Sequence, residues 1–318
     1  MKAVLGIDSS CYTSSCALVD AGMQVLASHR ILIQVEPGER GLRQSEAVFA
    51  HLKQLPLALS ELMSKAQADI VAVCVSSQPR DQEDSYMPVF QAGVAIAESI
   101  ALALRVPLYT TSHQRGHIAS ASLYLHDLPD RRLLLHLSGG TTDLLIMDGD
   151  KLKALSRSDD LHAGQLIDRV GVALGLPFPA GTELEALALH GRAMSRYTSS
   201  VDPKSCHLSG AEAQAMRDIA AGDMSAADIA AEVFDLLART AFKMLSAAGI
   251  STGVQDALVF GGVASSQLLR DLLMQRVQAR RSTLRLHFGR PELSGDTAVG
   301  VAAIGAKQHF AEQKQGGS

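Results

Sequence analysis

Two segments of the chain share one pattern of apolar and polar positions. Residues 3–20 (AVLGIDSSCYTSSCALVD) pass from an apolar run through a small polar turn into a second apolar run that ends in an acid. Residues 133–148 (LLLHLSGGTTDLLIMD) repeat this order. Each pattern predicts a β-hairpin. The bends contain small residues, which either form ordinary turns or allow backbone N–H groups to approach a bulky anion: Ser9, Ser10, Ser138, Gly139 and Gly140.

Helical spacing of apolar residues marks two further segments. Residues 88–106 predict a helix, and residues 107–111 (PLYTT) predict a short strand after it. A longer helix is predicted over residues 225–249, with Ser225 as its N-cap and Gly249 as its C-terminal stop. Its apolar stripe consists of Ile229, Val233, Leu236, Leu237 and Met244.

Residues 256–273 (DALVFGGVASSQLLRDLL) predict a strand, a turn at Gly261 and Gly262, and a helix. A turn at a helix N-terminus suits a phosphate or the edge of a nucleotide. The same Gly-Gly pair is equally typical of ordinary strand–helix packing. The polar residues from 308 onwards predict a frayed tail.

Composition and charge describe a globular protein without a broad nucleic-acid-binding surface. Of the 318 residues, 47% are hydrophobic and 19% are charged, which is typical of a chain with a well-formed core. The length allows two lobes. Because the net charge is −4, any RNA contact would have to be local or shared with a partner protein.

The distribution of apolar residues and cysteines indicates a cytoplasmic protein. The first ten residues match neither a signal peptide nor a membrane anchor, and the apolar stretch 94–104 is far shorter than the ~20 residues that a membrane span requires. We therefore expect no membrane partner. The cysteines lack the spacing of a zinc knuckle or a thioredoxin-type pair, so we expect buried free thiols: Cys11, Cys16, Cys74 and Cys206.

The stretch TTSHQRGHIAS contains two histidines, His113 and His117, four residues apart. On a helix this spacing places both imidazoles on one face, about 6 Å apart along the axis. Two histidines at this spacing either bind one metal ion or are simply surface residues. Zinc proteases carry a glutamate directly after the first histidine as general base. Here Gln114 occupies that position, which argues against metalloprotease chemistry.

Seven stretches resemble, in order, the motif series of the TsaD family. Members of this family are the catalytic subunits that make threonylcarbamoyladenosine in tRNA, and they were once described as O-sialoglycoprotein endopeptidases. The stretches are VLGIDSSC (4–11), SHQRGHIASA (112–121), LSGGTTDLL (137–145), LIDRVGVALGLPFPAG (166–181), HLSGAE (207–212), LVFGGVASSQLLRDLL (258–273) and PELSGDTAVGVA (291–302).

The resemblance covers residues 3–307 and implies an α/β fold of the duplicated type shared by actin, sugar kinases and Hsp70. Each of its two lobes has a mixed β-sheet flanked by helices. Residues 1–110 would form the N-terminal, partner-binding lobe, and residues 111–318 the C-terminal lobe with the metal and nucleotide motifs. The last helix is expected to pack back on the N-terminal lobe.

The resemblance implies that the paired histidines bind a metal. In TsaD-like proteins the metal is usually iron, and the third ligand is an aspartate of the last motif, which is Asp296 here. Two neutral imidazoles and a carboxylate suit Fe²⁺ or Zn²⁺, with open positions for substrate oxygens. His136 lies two residues before Ser138, where archaeal members place a metal-binding tyrosine. It is either a fourth ligand or a residue that fills the interior.

The resemblance also implies an adenine nucleotide, either AMP, ADP, ATP or threonylcarbamoyl-adenylate. Its contacts carry over by motif as follows: Ser138, Gly139 and Gly140 for phosphate, Asp168 for ribose, Gly181 and Glu185 for the ribose and base side, Gly261 and Gly262 for adenosine, and Ser266 where the family has asparagine. No catalytic residue can be assigned on this basis.

The chain also departs from the family pattern. After Cys11 the family continues with two acids and a threonine, whereas this chain continues with Tyr12, Thr13 and Ser14. The lysine of the Ser-Gly-Leu-Lys-Thr motif is missing from residues 209–214, and residues 77–93 replace a Gly-Pro-Gly loop. This combination of kept and altered motifs is typical of a divergent paralogue.

Three functions fit the sequence. The first is a tRNA threonylcarbamoyltransferase that works with a TsaB-like partner, bound through the N-terminal lobe, and an ATPase subunit. The second is a paralogue that uses the same metal and nucleotide to transfer another carbamoyl or acyl group. The third is a non-enzymatic, nucleotide-dependent regulator. Proteolysis is excluded, since the chain offers no nucleophile and base arrangement for it.

Overall fold

A computed structural model describes residues 1–10, 12–34, 43–82, 84–295 and 297–316. In chain order its elements are β1 (Lys2–Ser10), β2 (Thr13–Asp20), β3 (Val25–Leu32), α1 (Gln44–Lys65), β4 (Asp69–Gln78), α2 (Phe90–Leu104), β5 (Leu108–Ser112), α3 (His113–Ser122), β6 (Arg132–Leu137), β7 (Thr142–Asp148), β8 (Lys151–Ser158), α4 (Ala163–Ala173), α5 (Gly181–Ala188), β9 (Ser200–Val201), β10 (Ser205–His207), α6 (Ser209–Ala221), α7 (Ala226–Thr252), β11 (Asp256–Phe260), α8 (Gln267–Ala279), β12 (Arg285–Phe288) and α9 (Thr297–Gly316).

The chain divides into two compact units. The first comprises Met1–Tyr124 and Glu292–Ser318, and the second comprises Leu125–Pro291. The predicted lobe boundary after residue 110 stays a prediction. The last helix, α9, belongs to the first unit and packs there against β1, β2 and β4.

The sheet of the first unit has the strand order β3-β2-β1-β4-β5. The strands β1, β2 and β3 pair antiparallel, whereas β1, β4 and β5 run parallel. Alternate residues of a strand point to opposite faces. Accordingly, Leu5 and Ile7 of β1 join a core formed with α1 and α2, whereas Val4 joins a core formed with α9. The strand β1 is therefore buried on both faces.

Helix α9 packs so closely against α3 and β1 that their backbones approach each other. A Cβ atom on Gly300 would lie 2.6 Å from the backbone nitrogen of Ser120 in α3, and one on Gly116 would lie 2.7 Å from Cγ2 of Thr297. A Cβ on Gly6 of β1 would lie 2.7 Å from that of Ala302. Contacts this short leave no room for a side chain. Glycine at these positions therefore sets how closely α9 approaches both α3 and β1.

The second unit is built on a seven-stranded mixed sheet with the order β12-β11-β6-β7-β8-β10-β9. The hairpin β6–β7 is antiparallel, and β11 runs parallel to both β6 and β12. The long helix α7 contributes much of the core, since most of its residues are buried. The apolar stripe predicted for this helix is buried, as Ile229, Val233 and Leu236 show.

Both hairpins are confirmed, but several predicted boundaries are wrong. Ser9 and Ser10 continue β1 up to the pair Ser10–Thr13, so they do not form the bend. Helix α7 passes through Gly249 to Thr252, because Gly253, with φ of 71°, supplies the left-handed cap instead. The predicted frayed tail is also wrong, since α9 runs to Gly316.

The described residues agree with the expectation for the cysteines. Cys16, Cys74 and Cys206 are buried free thiols, whereas Cys11 lies outside the described residues. In the parts of the chain that the structure describes, no helix combines the length and the apolar character needed to cross a membrane.

The packing of α9 predicts that Gly300→Ala destabilises the fold, because the added methyl would overlap the backbone of α3. We expect a loss of about 1–3 kcal/mol in the free energy of unfolding, measured by urea denaturation. Gly210→Ala is the matched control, since Gly210 also lies in a helix but has nothing within 4 Å of its Cβ position. That change should be neutral or stabilising by up to about 1 kcal/mol. Equal unfolding free energies for the two variants would contradict the packing argument.

Candidate functional site

Helix α3 carries the predicted histidine pair at its start. Ser112 caps the helix, because its hydroxyl accepts a hydrogen bond from the backbone N–H of Arg115. His113 is the first helical residue and His117 follows one turn later, so their rings meet edge to face with centroids 4.4 Å apart. Both side chains are partly exposed. The helical arrangement predicted from their spacing is therefore present.

Asp8, which the sequence reasoning missed, orients the first histidine. It lies near the end of β1 with 1% exposure, and its Oδ1 is 2.9 Å from Nδ1 of His113. Burial alone raises the pKa of Asp8, but the charge and hydrogen bond of His113 and the hydroxyls of Ser76 and Ser10 outweigh it and lower the pKa. Asp8 therefore stays ionised and holds Nδ1 of His113, which leaves Nε2 available for another partner.

The second histidine contacts the start of α9. Oγ1 of Thr297 lies 3.4 Å from Nε2 of His117. Thr297 directly follows Asp296, the predicted third metal ligand, which lies outside the described residues. Within the described ranges, no group of three or more His, Cys, Asp or Glu side chains could hold a metal ion. The histidine pair, Asp8 and Thr297 all belong to the first unit.

His136 lies in the second unit, on β6. It is 6% exposed and stacks on the ring of Phe260, with centroids 4.7 Å apart and planes at 11°. Phe260 is also its direct neighbour across the parallel pair β6–β11. This stacking is a packing role, and the predicted role as a fourth ligand stays a prediction. Ser138 lies beyond the end of β6, so it is a turn residue.

The turn between β6 and β7 holds the predicted phosphate residues. The backbone N–H of Ser138 donates to the carbonyl of Thr141, and the carbonyl of Ser138 accepts from Gly164 N–H at the start of α4. Gly139 and Gly140 are exposed, and a Cβ on either would meet no atom within 4 Å. One side of the turn is thus fixed to α4, whereas the side with the glycines is open.

Asp168 connects α4 to the start of α5. Its Oδ1 accepts a hydrogen bond from the backbone N–H of Ala180 at 2.8 Å, directly before Gly181. Burial raises the pKa of Asp168, and the hydrogen bond from Ala180 opposes this only in part. Its second carboxylate oxygen remains available to accept from a hydroxyl group.

The remaining predicted nucleotide residues connect α5 with α8 and β6. Oε1 of Glu185 accepts from Leu268 N–H at 2.8 Å, while the hydroxyl of Ser266 caps α8 by accepting from Leu269 N–H at 3.1 Å. Gly261 has φ of 103°, and a Cβ there would lie 2.7 Å from Cδ2 of His136. Helix α8 starts only at Gln267, because a single 3₁₀ turn follows the Gly-Gly pair. The predicted order of strand, turn and helix is confirmed, with this 3₁₀ turn between the glycines and the helix.

These contacts join the segments that carry the nine predicted nucleotide residues within the second unit. The β6–β7 turn contacts α4, α4 contacts the start of α5, α5 contacts the start of α8, and Gly261 before α8 returns to the end of β6. Residues that are up to 128 positions apart in sequence (138 to 266) therefore form one closed series of contacts.

Positions that depart from the family pattern have partners within the chain. Ser14 is buried, and its hydroxyl lies 2.7 Å from Nδ1 of His51 in α1. In the segment 77–93, Asp81 forms an ion pair with Arg115 of α3 at 2.6 Å. Glu212, which stands at the position of the missing lysine, forms an ion pair with Arg169 at 3.0 Å.

Comparison of the sequence with known families and proteins identifies its relatives. The sequence model described as "TsaD: tRNA N6-adenosine threonylcarbamoyltransferase" matches residues 24–303. The chain belongs to the TsaD family. A tRNA N6-adenosine threonylcarbamoyltransferase of Latilactobacillus sakei subsp. sakei (strain 23K) is 29% identical over 322 residues, which cover 97% of this chain and 91% of the relative.

Solved structures show the fold. Component A of the (R)-2-hydroxyglutaryl-CoA dehydratase of Acidaminococcus fermentans superposes with a TM-score of 0.60 at 15% identity, covering 97% of this chain and 99% of that chain. A ROK family glucokinase from Streptomyces griseus, in complex with glucose and AMPPNP, superposes with a TM-score of 0.54 at 15% identity. The superposition covers 96% of this chain and 99% of that chain. The predicted α/β fold of the actin, sugar kinase and Hsp70 type is confirmed for this TsaD family member.

Proposed function

We propose that the chain is a tRNA N6-adenosine threonylcarbamoyltransferase, which transfers threonylcarbamoyl from threonylcarbamoyl-adenylate to the adenine amine of tRNA. The observation that carries this proposal is the TsaD family match over residues 24–303, which includes nearly all of the motifs. It is supported by relatives of that name that align along nearly the whole chain. In this reaction N6 of the adenine attacks the activated carbonyl carbon and forms a bond to it, N6 loses one proton, and the bond from that carbon to the AMP oxygen breaks so that AMP leaves.

We assign the AMP part of the substrate to the second unit. Exposed backbone at Gly139 and Gly140 can approach a phosphate closely. Asp168 can accept hydrogen bonds from ribose hydroxyls, since only one of its oxygens is held by Ala180. Glu185 acts mainly by positioning, because its carboxylate caps α8 through Leu268 N–H. Gly262, with nothing within 4 Å of its Cβ position, leaves space for the adenosine.

We assign one divalent metal, Fe²⁺ or Zn²⁺, to His113, His117 and Asp296. The donor set fits such an ion, because Asp8 fixes Nδ1 of His113 and so frees Nε2 in the way that carboxylates orient metal-binding histidines. When bound, the ion supplies Lewis-acid chemistry and a template for substrate oxygens. We retain His136 as a fourth ligand only as a prediction.

A second candidate function is favoured by the Arg169–Glu212 ion pair. A glutamate in place of the family's lysine reverses the charge at position 212, and neutral Tyr12 and Thr13 replace two acids. A divergent paralogue that transfers another carbamoyl or acyl group would require such changes at the substrate-facing positions.

We propose a TsaB-like protein as partner of the first unit, together with an ATPase subunit and tRNA, in the cytoplasm. Helix α1 supports a protein partner, because large apolar side chains on it are exposed: Phe49 at 60%, Leu52 at 45% and Leu57 at 60%. A partner would also supply the positive surface that a chain of net charge −4 lacks.

The metal assignment predicts that the purified protein contains about one Fe or Zn per chain, measured by elemental analysis after anaerobic purification. The double change His113→Ala and His117→Ala should remove the metal. Asp8→Asn should lower the metal affinity by about 10–100-fold, because His113 loses its orienting carboxylate. His190→Ala, at an exposed histidine of the second unit, is the control. Unchanged metal content in the double variant would refute the assignment.

The nucleotide assignment predicts that millimolar AMP, ADP or ATP raises the melting temperature, since a ligand that binds only the folded state stabilises it. Asp168→Ala should abolish most of this increase, measured by differential scanning fluorimetry. Glu183→Ala, an exposed carboxylate on α5, should leave the increase unchanged. A wild-type melting temperature that does not respond to any of the three nucleotides would contradict the assignment.

The reaction is tested by complementation of a conditional TsaD-depleted bacterium, with mass spectrometry of digested tRNA. We expect the modified adenosine to reappear when the cognate TsaB-like protein and ATPase are supplied, and to disappear in the His113/His117 double variant. If no modification appears with both partners present, the divergent-paralogue function replaces the transferase.

A further inference from the structure

Asp8 and Arg30 lie in one cross-strand row on the sheet of the first unit. Asp8 of β1 is paired directly with Ser15 of β2, and Ser15 is paired directly with Arg30 of β3. Residues directly opposite each other in a sheet project to the same face. Arg30 therefore lies on the face that α9 covers, about 10 Å from Asp8 at the ordinary strand spacing.

The guanidinium of Arg30 lies beside Gly295, the residue that precedes the predicted metal-binding aspartate. Nη1 of Arg30 contacts the position that a Cβ on Gly295 would occupy. Two residues further along, Thr297 contacts His117. Since consecutive Cα atoms are about 3.8 Å apart, Gly295 and Thr297 are separated by no more than about 7.6 Å. Arg30 beside Gly295 and His117 at Thr297 therefore both lie along the short stretch where α9 begins.

The charge of Arg30 has no protein partner in the part of the chain that the structure describes. Its side chain is exposed, and it forms no ion pair or hydrogen bond with any described side chain. Arg115 on α3, in contrast, is paired with Asp81, and Asp8 is bonded to His113. The neighbouring bend adds no acid at Tyr12 or Thr13, although the family pattern has acids there. The positive charge of Arg30 is thus available to an anion.

We propose that Arg30 binds the carboxylate of the threonyl group in the substrate. This proposal rests on the proposed function, because threonylcarbamoyl-adenylate carries two anionic groups, the phosphate and the threonyl carboxylate. The phosphate is assigned to the β6–β7 turn, which leaves the threonyl carboxylate as the anionic group of the substrate without an assigned partner. A guanidinium matches a carboxylate with two parallel N–H···O bonds. Arg30 is therefore a specificity-determining residue for the threonyl group.

The test compares two substrates in two proteins. One substrate is threonylcarbamoyl-adenylate, and the other is the same adenylate built on 1-aminopropan-2-ol, which is threonine without its carboxylate. With wild-type protein, TsaB-like partner and ATPase, we expect kcat/KM to be about 10–100-fold higher for the threonyl substrate. In Arg30→Gln this ratio should fall to about one, because only the threonyl substrate loses a contact. Arg30→Lys should restore part of it.

The controls separate this role from others. Lys307→Gln, an exposed cation on α9, should keep the wild-type ratio. The proposal is overturned if Arg30→Gln slows both substrates equally or loses metal, since Arg30 would then only position the segment before α9. It is also overturned if the substrate ratio is unchanged while the KM for tRNA rises and becomes less salt-dependent, which would indicate a contact with a tRNA phosphate.

A binding measurement makes the result independent of turnover. Isothermal titration with N-carbamoyl-L-threonine should give a Kd that is about tenfold weaker or more in Arg30→Gln than in wild type. The decarboxylated analogue should bind the two proteins equally. If wild type transfers neither substrate but this difference in Kd is present, the proposed function fails while the carboxylate site stands. Equal Kd values for N-carbamoyl-L-threonine refute the site itself.

Discussion

The first unit depends on how closely α9 can approach its neighbours. Because Gly116 and Gly300 face each other across α3 and α9, the two helices meet at backbone distance. Gly6 allows the same approach to β1. The contacts of His113 with Asp8 and of His117 with Thr297 follow from this packing, since they join a helix start to β1 and to α9 respectively. A side chain at any of these glycines would separate the groups that form the candidate metal site.

Much of the fold could be predicted from local patterns. Alternation and turn chemistry predicted both hairpins, and helical spacing predicted α2 and α7. The errors concern boundaries that are decided by neighbours. Gly249 looks like a helix stop, but residues beyond it still bond within the helix, and Gly253 takes the left-handed conformation. The polar end of the chain looks frayed, but His309 is buried and lies 3.3 Å from the hydroxyl of Tyr109.

The candidate site could be predicted only where its residues stand in motifs. The spacing of His113 and His117 gives their common helix face, and the small residues at 138–140 indicate an open turn. Asp8 could have been noticed as a lone acid at the end of an apolar run, since a buried carboxylate requires partners. The cross-strand row from Asp8 to Arg30 could not have been predicted, because it depends on the register of three strands. Likewise, the ion pair of Glu212 with Arg169 joins two helices that are distant in sequence.

The first unit is assembled from both ends of the chain, with the whole second unit lying between them in sequence. During synthesis, β1, β4 and α3 emerge early, whereas α9 emerges last. Until then Val4, Ala17 and Cys74 lack the apolar side chains of α9 that cover them in the finished protein. The second unit, being continuous, has all of its own residues before that point. A chain that stops before α9 therefore leaves this apolar sheet face uncovered, and exposed apolar surface of this kind favours aggregation.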